Sequence, residues 1–195
     1  MQNQKKRTEL PSIEELEAEI SRKKHAQNRR HFVRNLLYAV LILIAAAAAA
    51  FFAIGRVVTV VGDSMSPALA DGDLAAVLKT DEAEPGELVA FRHGGQLFVK
   101  RVVALGGSVV DVDKAGSVSV DGVLLEEPYL TEKAFRSGDV EFPFTVPEGQ
   151  YFVLSDDRSS TADSRSSVLG CVAREDLLGR VIFRLWPLSG LGSVD

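Results

Sequence analysis

Three segments of this 195-residue chain carry side chains suited to chemistry. The first is Val61-Gly62-Asp63-Ser64-Met65-Ser66-Pro67-Ala68-Leu69, directly after a short β-branched run. A serine in a turn tightened by Gly62 and held by Pro67 can present its hydroxyl while backbone N–H groups converge beside it, as acyl transfer requires. A turn serine that caps its own backbone fits the same residues. The second segment is Leu97–Ala104. Strand alternation puts Phe98, Lys100, Val102 and Ala104 on one face, and Val99, Arg101 and Val103 on the other. Lys100 is then the only charge in an apolar row. It is either an edge lysine that discourages strand addition or a desolvated amine whose neutral form deprotonates a serine. Bringing a pKa of about 10.4 down by 2–3 units costs on the order of 3–4 kcal/mol, a cost that water exclusion by Phe98 and Val102 can impose.

The third segment, Leu154–Arg165, mixes hydroxyls with both signs of charge. A calcium loop fails here, because Arg158 stands at the third ligand position after Asp156 and the glycine is missing. A solvated loop, or Asp/Arg pairs that brace a site while a hydroxyl orients a catalytic group, both remain open. A Ser-His-Asp triad has poor material. His25 and His31 precede a long apolar run, and His93 sits in an Arg-His-Gly-Gly turn, a poor mount for a precisely held base. The single cysteine, Cys171, lacks a credible histidine partner and reads as a small buried side chain; it also excludes a disulfide framework. No metal site and no cofactor are expected.

The elements that must position these segments divide into two parts. Residues 1–34 hold nine Lys/Arg against five Glu, net +4, whereas residues 35–195 hold 13 against 22 Asp/Glu, net -9. An acidic outer part of this kind is not a nucleic-acid binder. Between them, Leu36 to Gly55 is an uncharged run of 20 residues, about 30 Å as a helix and enough to cross a bilayer core. A cleaved signal peptide would have a shorter apolar core that begins earlier. The basic flank puts the N-terminus in the cytoplasm and the rest outside. The expected division is a basic cytoplasmic segment over 1–34, a transmembrane helix over 35–55 and an extracytoplasmic β-rich domain over 56–195. Upstream of the span, Ser12 and Glu15 have capping-box spacing and Ile13, Leu16 and Ile20 recur at helical intervals. Beyond residue 56, short β-branched runs at 57–61, 74–78, 88–91, 97–105, 108–113, 117–120, 123–125, 144–146, 151–155 and 180–186 alternate with Gly-containing turns such as Asp71-Gly72 and Asp121-Gly122. The expected fold class is mostly β, built of antiparallel sheets after one transmembrane helix.

The three segments, in this order after an anchor, resemble the bacterial type I signal peptidases, or leader peptidases. The match runs through Ser64-Met65-Ser66-Pro67, Gly72-Asp73, Lys100-Arg101, Asp156-Asp157-Arg158 and Asp163-Ser164-Arg165, with Gly170 and Leu178-Gly179-Arg180 following. The single N-terminal span is similar to the Gram-positive and actinobacterial type. A self-cleaving repressor of the LexA-like kind shares the Ser-Met and Val-Lys-Arg strands, but would begin with a DNA-binding helix-turn-helix and lacks the Asp156–Arg165 box.

The resemblance implies a serine endopeptidase with Ser64 as nucleophile, Lys100 as general base and the Ser64 backbone N–H in the oxyanion hole. It further implies a Thr161 hydroxyl bonded to Lys100, support from Asp156, Asp163 and Arg165, and Val60 and Val99 lining pockets for small side chains. Substrates would be secretory preproteins, their extended peptides pairing with strand edges near Val57–Val61 and Leu97–Val99. The bilayer and the secretion translocon are the other expected partners. Three departures stand out: Gly62 where some relatives carry a serine, Ser155 and Asp157 for the commoner Gly and Asn, and Thr161 for serine. They keep open an inactive anchored homologue that binds peptides or scaffolds.

Overall fold

The computed structural model describes residues 13–132 and 138–194, with side chains from residue 29 onward apart from 52–54. Ser12 and the side chains of Glu15, Ile13, Leu16 and Ile20, on which the N-terminal helix start was read, lie outside what is described. The described residues divide into two compact units, one up to Phe51 and one from Phe52 onward.

The first contains one continuous helix, α1 (Ile13–Ile54). Within it Arg29–Phe51, 23 residues of mean hydropathy 2.0, is covered by nothing among the described residues. The block Ala45–Ala50 continues the helix because alanine has the highest helix propensity. An apolar helix with no protein around it has the character of a lipid-facing span.

The second unit is built of β1 (Gly55–Thr59), β2 (Leu74–Leu78), β3 (Leu88–His93), β4 (Gln96–Leu105), β5 (Val109–Val112), β6 (Val118–Val120), β7 (Val123–Leu124), β8 (Phe144–Thr145), β9 (Gln150–Leu154), β10 (Val172–Ala173), β11 (Leu177–Trp186) and β12 (Gly192–Ser193). All pairings are antiparallel. The larger sheet runs β1-β2-β11-β3-β4-β9-β10 with β12 on β11, and the smaller runs β7-β6-β5-β8. The mostly β, antiparallel expectation holds, and only two single-turn 3-10 helices occur after residue 54 among the described residues. The first strand begins and ends two residues earlier than read from sequence, so Val60 and Val61 belong to the segment that leads to Ser64.

Strand β3 shows why its sequence is a solid apolar run rather than an alternating one. Leu88 and Ala90 enter one buried cluster with Met65, Leu69, Val77 and Val99. Val89 and Phe91 enter another with Val102, Val153 and Leu169. A strand covered on both faces has no solvent side to mark with polar residues. The C-terminal end of strand β4 then packs against the smaller sheet. Its register against β9 shifts between Val102 and Ala104, and Val103 and Ala104 both join a third cluster with Val110, Val118 and Phe152. Strict alternation had put Ala104 on the Lys100 face. The β-bulge re-aims it, because the extra residue turns the strand locally.

Candidate active site

Ser64 lies in the tight segment after β1, and Lys100 in the middle of β4. Lys100 Nζ donates a hydrogen bond to Ser64 Oγ at 2.6 Å. Lys100 is 1% exposed, and burial lowers its pKa from 10.5 to about 8. The carboxylates of Asp163, Asp156 and Asp157 pull the other way, and Arg165 adds to the lowering. Desolvation is the largest influence: burial penalises the ammonium. The Ser64 backbone N–H makes no hydrogen bond among the described residues and is free to meet a developing oxyanion. Gly62 adopts a φ of +79°, and its N–H is occupied by Asp71 Oδ1 at 2.7 Å.

The Asp156–Arg165 loop braces this pair. The Asp157 N–H donates to the Ser64 carbonyl at 3.0 Å, fastening the loop to the backbone of Ser64. Asp163, fully buried, accepts from Arg165 Nε at 2.9 Å and Nη2 at 2.7 Å, and from the Ser155 N–H at 3.0 Å. Arg165 Nη1 reaches the Arg158 carbonyl and Nη2 the Ser160 carbonyl, so one guanidinium closes the loop on itself. Asp156 pairs with Arg101 of β4 through two bonds, 2.9 and 2.7 Å, a fork-to-fork geometry that fixes orientation as well as charge.

Two residues of the 106–149 segment complete the frame without any signal in the sequence. The Arg158 guanidinium is held by Glu127, and the Tyr129 ring lies 3.9 Å under the Arg101 guanidinium while its hydroxyl bonds Glu127 Oε1 at 3.0 Å. Burial and the Glu127 carboxylate push the Tyr129 phenol far up, so it stays a donor.

A cleft of about 400 Å³ opens over the pair, lined by residues 59–65 on one side and 96–100 on the other, with Asp157, Ser160 and Ala162 closing it. Val60 and Val99, both buried, are among the lining. Thr161 differs from expectation. Its neighbours Ser160 and Ala162 face the cleft, and among the described residues it makes no hydrogen bond to Lys100. A cavity of about 480 Å³ between Thr80–Glu87 and Glu148–Tyr151 holds no nucleophile beside a base. His93 is exposed and meets the Val168 carbonyl. Burial raises the Cys171 thiol to about 11, which keeps it protonated and inert.

A buried lysine bonded to a serine at the mouth of a cleft is the arrangement of a Ser/Lys hydrolase. The family described as signal peptidase, peptidase S26, matches residues 33–186. Signal peptidase IB of Staphylococcus aureus is 32% identical over 173 residues, covering 76% of this chain and 89% of that one. A probable signal peptidase I-2 of Synechocystis is 36% identical over 142 residues, covering 66% of this chain and 62% of that one. Among solved structures, a signal peptidase I from Enterococcus faecalis superposes with a TM-score of 0.45 at 28% identity, over 51% of this chain and 97% of that one. The chain belongs to the signal peptidase S26 family. Its activity is that of a signal peptidase I: a membrane-anchored peptidase that removes signal peptides from secreted preproteins.

Proposed function

We propose that Ser64 is the nucleophile and Lys100 the general base of this peptidase. The 2.6 Å contact between Lys100 Nζ and Ser64 Oγ in a desolvated setting carries the assignment. With a pKa of about 8, roughly one Lys100 in ten is neutral at pH 7. That neutral amine takes the Ser64 proton as Oγ attacks the carbonyl carbon of the scissile bond. The oxyanion meets the free Ser64 N–H. As the intermediate collapses, the C–N bond breaks and Lys100 returns the proton to the departing amine. Water, deprotonated by Lys100, then hydrolyses the acyl-enzyme.

The preprotein binds as an added strand. Strand β1 is the sheet edge, and β9 pairs with β4 only from Arg101 onward. Residues 96–99 therefore offer an open edge across the cleft from residues 59–61. Between two such edges a peptide is held by its backbone, and Val60 and Val99 leave room only for small side chains. Residues 35–55 cross the membrane, 1–34 remain cytoplasmic and 56–195 lie outside, as the basic flank directs. Confinement of enzyme and substrate to one bilayer raises their effective concentration, and the translocon delivers the substrate. Asp156, Asp163 and Arg165 position the pair without touching substrate. An inactive binding homologue has no use for a buried lysine on a serine hydroxyl.

The test is cleavage of a preprotein with an Ala-x-Ala site by the detergent-solubilised full chain, its Ser64→Ala variant and its Lys100→Met variant. The proposal expects cutting at that site by the wild type alone. Cutting by Lys100→Met at a comparable rate would remove lysine from the mechanism.

A further inference from the structure

Lys100 Nζ has a single hydrogen-bond partner among the described residues, Ser64 Oγ. A neutral amine carries two N–H groups beside its lone pair, and an ammonium carries three. When the lone pair faces the Ser64 proton, the N–H groups point elsewhere, and Lys100 is 1% exposed. Thr161 does not supply an acceptor.

One strand over lies a hydroxyl with the complementary lack. The β4–β9 ladder ends at Arg101↔Leu154, and one step further places Ser155 opposite Lys100. Directly opposed residues project from the same face, with Cβ atoms about 5 Å apart. Ser155 is fully buried, and its Oγ has no hydrogen-bond partner. Its backbone is pinned on both sides: the N–H donates to Asp163 Oδ2 at 3.0 Å, and the carbonyl accepts from Arg158 Nε at 2.9 Å. Only the side-chain torsion is left to move. Buried hydroxyls are almost always satisfied, so an orphan beside an under-coordinated amine marks a shared function.

We propose that Ser155 is a positioning residue for the Ser64–Lys100 reaction, its hydroxyl oxygen accepting a hydrogen bond from Lys100 Nζ and holding the ammonium formed when Nζ takes the Ser64 proton. The inference rests on the assignment of Ser64 and Lys100 made above. In the acylation step the Ser64 O–H bond breaks and an N–H bond forms on Lys100. Ser64 Oγ, now bonded to the substrate carbonyl, no longer carries an anionic charge toward the ammonium, and Ser155 keeps Nζ in place until the proton leaves with the amine. The charged groups that act on Lys100 are Asp163, Asp156 and Asp157, which favour the ammonium, and Arg165, which opposes it. Ser155 acts in the same direction as the carboxylates, through a hydrogen bond to the charged form.

The experiment is the pH dependence of kcat/KM on a preprotein, using the full chain in detergent, for wild type, Ser155→Ala, Ser155→Gly and Ser155→Thr. Wild-type activity is expected to rise with pH through about 8. Loss of the acceptor moves that limb down by about half to one pH unit and lowers the plateau about tenfold, in the Ala and Gly variants alike. Ser155→Thr, which keeps the hydroxyl, leaves the limb where it was. The Ala and Gly variants add no volume and carry the test if the threonine is too large to fold. A role in packing alone would lower the plateau and the melting temperature with the limb unmoved, and that result overturns the proposal. Ser64→Ala and Lys100→Met run alongside: if both are inactive and the limb does not move, only the role of Ser155 fails. If Lys100→Met is active, the dyad itself fails.

Discussion

Replacing Lys100 with methionine should make the protein more stable while abolishing its activity. The folded state lowers the Lys100 pKa from 10.5 to about 8. Below pH 8 the lysine is protonated in both folded and unfolded chains, and the folded state bears the full cost of burying the ammonium. Two and a half pH units at about 1.4 kcal/mol each put that cost at about 3–4 kcal/mol. From pH 8 to 10.5 the unfolded chain holds more protons than the folded one, so the wild type gains stability as the pH rises. Above 10.5 the cost is gone. Methionine has a similar unbranched length and no charge to desolvate. It forfeits the Ser64 hydrogen bond, worth about 1 kcal/mol, so the net gain at pH 7 should be about 2–3 kcal/mol. For a unit of this size that is a rise of roughly 6–9 °C in Tm. Trp186 is the only tryptophan and lies at the end of β11, so its fluorescence during urea or thermal unfolding of the full chain in detergent reports on the β unit alone. The gain should shrink steadily between pH 8 and 10.5. A variant no more stable than wild type at pH 7, or a gain independent of pH, would refute the claim that desolvation of Lys100 sets its proton affinity.

Two further outcomes follow from the frame around the pair. Asp156→Asn or Arg101→Ala leaves one buried charge of the fork unpaired and should cost about 3–5 kcal/mol in denaturant unfolding, with the double variant costing less than the sum of the two. Gly179→Ala should abolish soluble folded protein, because its Cβ would lie 2.0 Å from the Leu78 carbonyl oxygen, whereas Gly62→Ala, which meets open space but keeps a φ of +79°, should cost about 1 kcal/mol in the same measurement.

Sequence reading succeeded where the signal was local. Asp71-Gly72 followed by Leu74–Leu78 marks a strand without help from the rest of the chain, and the lone charge at position 100 stands out against Phe98 and Val102 by alternation alone. It failed where tertiary contact decides. β10 and β12, two residues each, exist only because β9 and β11 lie beside them. The acidic and basic residues of the 156–165 loop invite pairing with each other. Asp163 and Arg165 do pair, yet Asp156 reaches back to Arg101 and Arg158 out to Glu127. Nothing in the spacing of Glu127 and Tyr129 distinguishes them from other surface residues. The bulge at Val103 is equally silent, since every residue around it is apolar and suits either face.

The strand order carries a consequence for how the site is held together. Ser64 follows β1 and Lys100 sits on β4, but the sheet that connects them runs β1-β2-β11-β3-β4. The strand that bridges β2 to β3 is Leu177–Trp186, far beyond Lys100 in the sequence. Without it the strands flanking Ser64 and carrying Lys100 share no sheet. The 2.6 Å contact between Ser64 and Lys100 is thus framed by a strand that contributes neither residue.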